Sequence, residues 1–354
     1  MKLLSKLFSL LDEGVKENVF PGAVAGVYFK GNQWIVGRGF KALTPFTEPV
    51  EEETIYDLAS LTKPLALVHT LWYLLNEDPK IDLEKPCRTY ADVPEWLGEV
   101  PLYRLLNHTS GLKAWHPFYK EFFNKKASLK DLIEVLKTLP PEYTPGTKCV
   151  YSDLGYFLFT YILEEVYKSN FENLFEQAKK RVSFSKKAFL SFSPLKKGID
   201  QEDIAPTSVC PWSKVLLRGV VEDENTRAIG GVAGVAGLFG NIKGVLDVLT
   251  YLIEAYKKNT VRYPFKKLLE HKEEVSEFTL GFMIVKDEEK PDELKDLNLF
   301  KHTGFTGCSF LIDFENEIAI VLLSNRVHPT RENIKIRFFR KRFHLELLSL
   351  LYSL

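Results

Sequence analysis

A serine and a lysine stand three positions apart in the segment DLASLTKP, where they are Ser60 and Lys63. Residues at this spacing lie on one face of a helix, and Pro64 suits a first helical turn, where the loss of an N–H costs least. A serine hydroxyl is a weak nucleophile that needs a base within hydrogen-bond distance. The pattern therefore predicts a serine activated by an amine, next to the free N–H groups of a helix start. Alone it is weak evidence, because serine and lysine are common residues.

Two other short segments carry groups that could act with this pair. Tyr-Ser-Asp at 151–153 lies in a helical stretch after a Pro-Gly turn, and His-Thr-Gly at 302–304 precedes an apolar run. A phenol with a pKa of about 10 needs about 4 kcal/mol to ionise at pH 7. One ammonium at about 4 Å supplies about 4 kcal/mol at an effective dielectric constant of about 20. Lys63 could therefore come close to ionising Tyr151, before burial of the phenol opposes it.

The composition is that of a folded chain without a charge bias. The 354 residues include 47 basic and 47 acidic side chains, so the formal net charge is zero, and 45% of the residues are apolar. This balance excludes a global basic footprint for nucleic acid and an acidic disordered tail. The length predicts two domains or one large two-part fold.

The cysteines and histidines show neither a metal-binding nor a redox pattern. The four cysteines lack a C-x-x-C spacing and the histidines lack ligand spacing, so we predict four buried free thiols, no metal and no cofactor. Gly231, Gly234 and Gly237 do not fit a phosphate-binding pattern. His108 is predicted to be structural. His328 lies just past a predicted strand end and could instead face the cleft.

The N-terminus predicts a helix rather than a targeting segment. Apolar residues between positions 3 and 11 follow helical spacing. Ser5, Lys6 and Ser9 interrupt this stretch and no small-residue cleavage site follows it, which disfavours a signal peptide. No apolar run elsewhere has the length of a membrane span. We therefore expect a cytoplasmic protein with no membrane partner.

The order of the elements predicts an α+β protein. Strands are predicted at 22–29, 33–40, 278–285, 309–313 and 317–324. Helices are predicted at 65–75, 129–138, 156–168 and 331–352, the last with a basic and solvated N-terminal half. We expect an antiparallel sheet flanked by helices, formed by residues 1–57 and 266–354. A mainly helical lobe would span 58–265, with the active site in the cleft between the two lobes.

The order and spacing of the three motifs resemble those of the serine β-lactamase and penicillin-binding protein superfamily. Ser-x-x-Lys at 60–63 is followed by Tyr-Ser-Asp at 151–153 and by His-Thr-Gly at 302–304. The tyrosine makes the chain similar to the class C β-lactamase-related branch, which includes DD-peptidases, D-aminopeptidases and esterases. The segment LLNHTSGL at 105–112 and the glycine-rich segment 223–240 agree with this resemblance, which covers nearly the whole chain.

The resemblance implies a β-lactamase/transpeptidase-like fold and a role for each matching residue. Ser60 would be the acylated nucleophile, Lys63 would hold the proton network, and Tyr151 would take the serine proton and later serve the leaving group or water. The backbone N–H groups of Ser60 and Phe305 would form the oxyanion hole. The residues that would contact the substrate are Asp153, His302, Thr303 and Gly304.

Two positions depart from the family pattern and bear on the substrate. The second triplet ends in Asp153, where the family usually has asparagine, and the third begins with His302, where it often has lysine. Each change can make the site more negative near a substrate carboxylate, and Asp153 could also pair with Lys63 and hold it protonated. We therefore predict a serine hydrolase that forms an acyl-enzyme with a small ester or amide and recognises penicillins weakly.

Other activities of the superfamily stay open. The alternatives are a DD-carboxypeptidase or D-aminopeptidase-like peptidase, a weak β-lactamase, and a non-catalytic binding or regulatory member of the fold. A cell-wall carboxypeptidase needs export, which the N-terminus does not predict. The expected partner is a small-molecule ester or amide substrate, with no nucleic acid, and the sequence leaves the oligomeric state open.

Overall fold

Distant parts of the chain pair to form one antiparallel sheet in the computed structural model, which describes residues 2–122, 125–211, 213–258 and 260–353. The strands are β1 (Gly22–Phe29), β2 (Asn32–Ala42), β3 (Glu48–Pro49), β4 (Tyr56–Asp57), β5 (Leu190–Phe192), β6 (Leu238–Gly240), β7 (Met283–Ile284), β8 (Phe300–Thr303), β9 (Ser309–Asp313) and β10 (Ile318–Ser324). Within these described ranges, seven strands form a sheet in the order β3-β2-β1-β10-β9-β8-β7. A small second sheet has the order β4-β6-β5.

Helices cover the large sheet and fill the middle of the chain. They are α1 (Lys2–Lys16), α2 (His69–Glu77), α3 (Glu95–Gly98), α4 (Tyr103–Leu106), α5 (Phe118–Glu121), α6 (Leu129–Lys137), α7 (Asp153–Tyr167), α8 (Phe171–Lys179), α9 (Glu224–Ala228), α10 (Ile242–Lys257), α11 (Phe265–Glu270) and α12 (Ile336–Tyr352). The predicted α+β class, with an antiparallel sheet, flanking helices and a largely helical middle, is therefore confirmed.

Both faces of the large sheet are covered by helices, which explains why its central strands β1 and β10 are apolar along nearly their whole length. On one face, Leu7 of α1 and Phe343 of α12 share an apolar core with Ile320 of β10. On the other face lies α10. A Cβ added to Gly26 of β1 would lie only 2.7 Å from the Ile242 side chain of α10, so glycine at this position permits the close packing.

The helical middle of the chain has its own continuous core. Helix α7 is buried along most of its length and packs against α4, α6 and α8. The division into a lobe of 1–57 and 266–354 and a lobe of 58–265 stays a prediction. Helix α10 belongs to the second lobe by sequence, yet it packs directly on β1 and β10 of the first.

Several predicted elements differ from the structure in length. The strand predicted over 278–285 is wrong for most of its length, because Gly281 has φ +100° and its N–H closes a tight turn on the Thr279 carbonyl oxygen at 2.7 Å. The C-terminal helix begins at Ile336, later than predicted. The short strand β8, which carries His302, was not predicted. Cys149 is half-exposed rather than buried, although all four cysteines are free.

The described ranges contain no helix that is both long and apolar enough to cross a membrane. In the same ranges, no group of three or more His, Cys, Asp or Glu side chains is placed to hold a metal ion. The cytoplasmic location stays a prediction.

Candidate active site

Ser60 lies in a tight turn between a short strand and a helix. Strand β4 ends at Asp57, and Ala59–Leu61 forms one 3-10 turn before a widened helical turn over Lys63–Val68 continues into α2. Lys63 Nζ donates a hydrogen bond to Ser60 Oγ at 3.1 Å. The three-residue spacing thus places the two side chains in contact.

Lys63 is fully buried and paired with a carboxylate. Its Nζ lies 2.7 Å from Asp153 Oδ1 and 3.4 Å from the carbonyl oxygen of Val235. Burial lowers the pKa of Lys63, but the negative charge of Asp153 and then the Tyr151 phenol outweigh burial, so the net pKa is raised. Lys63 therefore stays protonated at neutral pH, which opposes a role as a free amine in the resting site.

Tyr151 lies two residues before the start of α7 instead of within the helix. Ser152 is the N-cap residue of α7, and its backbone N–H donates to His108 Nδ1 at 3.0 Å. The Tyr151 ring lies 4.6 Å from the His108 ring and 5.6 Å from the Phe278 ring, centre to centre. Lys63 Nζ lies 5.0 Å from the Tyr151 ring centre. These contacts fix the phenol ring beside the lysine and give His108 a structural role.

The Tyr151 phenol keeps its proton in the resting site. Burial raises the pKa of Tyr151, the charge of Lys63 lowers it, and Asp153 raises it again, with a net increase above the ordinary value. Lys63 alone was expected to bring the phenol close to ionisation at pH 7 before burial opposed it, and here the opposing effects prevail. Burial and the added carboxylate together outweigh the single ammonium.

His302 lies on β8 with its ring buried, 6.3 Å from the Tyr151 ring centre to centre. In the part of the chain that the structure describes, neither ring nitrogen has a hydrogen-bond partner. Burial, followed by the charge of Lys63, lowers the pKa of His302 to about 3. His302 is therefore neutral at physiological pH and adds no positive charge to the site.

The end of β8 packs against the turn that carries Ser60. A Cβ on Gly304 would lie 2.7 Å from the carbonyl oxygen of Leu58, so glycine is required for this approach. Phe305 follows Gly304 and is 48% exposed. The backbone N–H groups of Ser60 and Phe305 therefore belong to neighbouring turns, and their role as an oxyanion hole stays our proposal.

A cationic group that the sequence analysis placed on a solvated helix face approaches the end of β8. Arg340 of α12 donates a hydrogen bond to the carbonyl oxygen of Gly304 at 3.3 Å and lines, together with Thr303, a cavity of about 210 Å³. Burial, then the charges of Arg326 and Arg337, lowers the pKa of Arg340 to about 10, so it is protonated at neutral pH. The feature of the sequence that could have indicated this position is the helical spacing between Arg340 and the buried residues of α12.

Asp223 and Asn225 order the loops beside the site. Asp223 accepts the backbone N–H of Thr226 at 2.6 Å and so caps α9. Burial, then the charge of Asp153, raises the pKa of Asp223 to about 6. The Asn225 side chain donates to the carbonyl oxygen of His116 at 2.8 Å. Through these hydrogen bonds, the two residues act on the geometry of the loops.

His328 is structural and not part of the cleft. Its Nε2 accepts the backbone N–H of Leu43 at 2.9 Å, and its Nδ1 lies 3.0 Å from the carbonyl oxygen of Thr207. Both ring nitrogens are thus engaged in contacts between loops. A histidine just past a strand end can serve either purpose, so the sequence could not decide between them.

Comparisons with known proteins agree with this fold and these motifs. The profile of the Beta-lactamase family matches residues 7–178. A protein of Escherichia coli O157:H7 named putative D-alanyl-D-alanine carboxypeptidase is 27% identical over 362 residues, which cover 90% of this chain and 82% of that relative.

Solved structures share the fold over almost the whole chain. The octameric penicillin-binding protein homologue from Pyrococcus abyssi has a TM-score of 0.74 at 19% identity, covering 99% of this chain and 77% of that chain. EstCE1, a hydrolase with promiscuous acyltransferase activity, has a TM-score of 0.72 at 16% identity, covering 99% and 98%. Together with the family profile and the Escherichia coli relative, these structures confirm the expected resemblance to the serine β-lactamase and penicillin-binding protein superfamily. The family and relative names indicate a hydrolase of the β-lactamase and peptidase type.

Proposed function

We propose that this chain is a serine hydrolase of the esterase or amidase type that works through an acyl-enzyme on Ser60. The observation that carries the proposal is the 3.1 Å contact between Ser60 Oγ and the Nζ of the fully buried Lys63. A buried ammonium is costly unless it is paired, and here the side chains bonded to it include the Ser60 hydroxyl, the Tyr151 phenol and the Asp153 carboxylate. Such an arrangement suits nucleophilic catalysis.

In the proposed mechanism, Ser60 Oγ attacks the substrate carbonyl carbon and the leaving group departs with a proton. Because Tyr151 and Lys63 are both protonated at rest, the phenol passes its proton to the leaving atom as it receives the serine proton. The Lys63 ammonium, held by Asp153, stabilises the negative charge that develops on the two hydroxyl oxygens. Water then attacks the acyl-enzyme along the reverse proton path, releasing the acid and restoring Ser60.

The charges around Ser60 favour a substrate without a carboxylate near the scissile bond. Lys63 is neutralised by Asp153 at 2.7 Å, and His302 is uncharged at neutral pH. The two motif residues that could have attracted a carboxylate therefore contribute no net positive charge. The binding of a small neutral ester or amide does not depend on a positive charge and is therefore not weakened in such a site.

Arg340 supports a second candidate function, a carboxypeptidase that releases a terminal D-amino acid. Its protonated guanidinium lies at the end of β8, next to Thr303, and could attract a substrate carboxylate from that side. The Escherichia coli relative is named as a putative enzyme of this kind. We rank this candidate second, because the groups nearest to Ser60 carry no net positive charge.

A panel of three substrates at pH 7 tests the proposed function. We expect turnover of a short-chain p-nitrophenyl ester, with an acyl adduct visible by intact mass, and much slower hydrolysis of benzylpenicillin. Rapid penicillin hydrolysis would contradict the predicted weak recognition of penicillins. Release of D-alanine from an acyl-D-alanyl-D-alanine peptide, faster than ester turnover, would favour the carboxypeptidase instead.

Asp153→Asn should raise the preference for substrates that carry a carboxylate, because it leaves the Lys63 charge unbalanced. One unit charge at about 8 Å and an effective dielectric constant of about 20 is worth about 2 kcal/mol, and we expect about a tenfold rise after screening. The measurement is the ratio of kcat/KM for 3-carboxyphenyl acetate to kcat/KM for phenyl acetate. The exposed Asp292→Asn is the matched control, and a ratio unchanged in Asp153→Asn contradicts the charge argument.

A further inference from the structure

Asp57, three residues before Ser60, connects three segments that surround the site. Its side chain is buried, and Oδ1 accepts the backbone N–H of Ala59 at 2.8 Å while Oδ2 accepts the backbone N–H of Glu222 at 2.8 Å. Its carbonyl oxygen accepts a hydrogen bond from Thr306 Oγ1 at 2.7 Å. One residue thus joins the Ser60 turn, the loop before α9 and the turn after β8.

The Ala59 hydrogen bond supports a strained backbone conformation. Ala59 has φ +46°, a left-handed conformation that is unfavourable for a residue with a Cβ. Ala59 directly precedes Ser60, so its backbone angles set the direction of the Ser60 N–H and side chain. The Asp57 carboxylate accepts the Ala59 N–H in this geometry and therefore stabilises it.

The Thr306 hydrogen bond fixes the opposite side of the site. Thr306 follows Phe305, whose backbone N–H is the second proposed oxyanion donor, and its side chain is held on the Asp57 carbonyl oxygen. Asp57 is therefore bonded next to both proposed donors. Donors of this kind act only when they are held in place before the reaction begins.

The fold retains this carboxylate in a position that is unfavourable for a charge. Burial raises the pKa of Asp57 to about 7, although the N–H groups of Glu222 and Ala59 lower it. Among the residues that the structure describes, no lysine, arginine or histidine forms an ion pair with Asp57. Backbone N–H groups are thus the partners of this carboxylate, which indicates a role in fixing backbone geometry.

We propose that Asp57 is a positioning residue that holds the Ser60 turn and the Phe305 turn in the geometry needed for acylation. This inference rests on the proposed function. The Asp57 carboxylate acts through Ala59 and the Asp57 main-chain carbonyl acts through Thr306, and neither group touches the reacting atoms. Its loss should therefore lower kcat for acylation far more than it raises KM.

Asp57→Asn tests the proposal with almost no change in size. The amide retains one acceptor and places an NH2 group against a backbone N–H, so one of the two side-chain hydrogen bonds is lost. We expect kcat for a p-nitrophenyl ester to fall about tenfold or more, with KM almost unchanged. Adding Ala59→Gly should restore part of the lost kcat, because glycine adopts positive φ without strain.

Thr306→Val supplies a second variant if Asp57→Asn does not fold. It removes the hydroxyl that donates to the main-chain carbonyl of Asp57 while keeping the buried volume, so it tests the link from Asp57 to the Phe305 turn, and it should also lower kcat with little change in KM. The exposed Asp292→Asn is the control, and thermal unfolding is followed for every variant.

The proposal is overturned if the folded Asp57→Asn protein, or Thr306→Val where the former does not fold, keeps the wild-type kcat. It is equally overturned if a loss in Asp57→Asn is not relieved by Ala59→Gly. Ser60→Ala distinguishes a failure of the proposed function from a failure of the positioning role. If Ser60→Ala turns over the ester as fast as wild type, the proposed function fails. If Ser60→Ala is inactive while Asp57→Asn is fully active, only the positioning role fails.

Discussion

Ser60→Ala should lower the turnover of a short-chain p-nitrophenyl ester by about 10⁴-fold or more. The Oγ that contacts Lys63 at 3.1 Å forms the covalent bond in the proposed mechanism, so its removal leaves the site without its acyl acceptor. Time-resolved release of p-nitrophenol measures the loss. Intact mass taken during turnover should show an acyl adduct on the wild-type protein and none on the variant.

The control for this substitution is Ser353→Ala, which removes an exposed serine hydroxyl after the C-terminal helix. It should match the wild-type protein in both rate and adduct. If wild type and Ser60→Ala instead behave alike, without an adduct, Ser60 is not a nucleophile towards simple esters. A narrow amide specificity or the non-catalytic alternative would then be favoured.

The sequence was sufficient where a local pattern determines the geometry. The spacing of Ser60 and Lys63 predicted their contact, because three residues along a helical turn bring two side chains to one face. The strands predicted at 22–29 and 33–40 agree closely with β1 and β2, because their apolar runs are local. The pairing of Asp153 with Lys63 was anticipated from their opposite charges, after the resemblance had placed both residues in one site.

The sequence was insufficient where function depends on contacts between distant segments. Arg340 reaches Gly304 from the C-terminal helix, and a basic residue on such a helix is more often solvated. The hydrogen bond between Thr306 and Asp57 spans most of the chain and has no local pattern. The pKa of Tyr151 also depends on burial, and the sequence does not give the amount of burial.

These long-range contacts change how the site is expected to work. A lysine that is fully buried and bound to Asp153 serves as a fixed positive charge, and a phenol with a raised pKa serves as a proton carrier in the transition state. Both groups are therefore already in the protonation states that the mechanism needs before the reaction begins: Lys63 is charged and Tyr151 is neutral. The proton movement then depends on the geometry of Tyr151, which is fixed by its packing against His108 and Phe278.

Tyr151→Phe should therefore lower kcat by about 10²–10⁴-fold, the range of a general acid–base group, with little change in KM. The phenylalanine ring retains the packing against His108 and Phe278, so the fold is preserved and only the hydroxyl is lost. The loss should be larger for a p-nitroanilide than for a p-nitrophenyl ester of the same acyl group. An aniline must be protonated to leave, whereas p-nitrophenolate leaves readily without a proton.

The comparison of the two leaving groups separates proton transfer from a general disturbance of the site. A structural effect of Tyr151→Phe would slow both substrates by the same factor, and this outcome would contradict the assigned role. Tyr90→Phe is the matched control, since its hydroxyl accepts the backbone N–H of Asp82 at 2.8 Å on the surface of the helical region. If Tyr151→Phe keeps the wild-type kcat on both substrates, the serine proton must leave through Lys63, and the Lys63–Asp153 pair would then have to release a proton during the reaction.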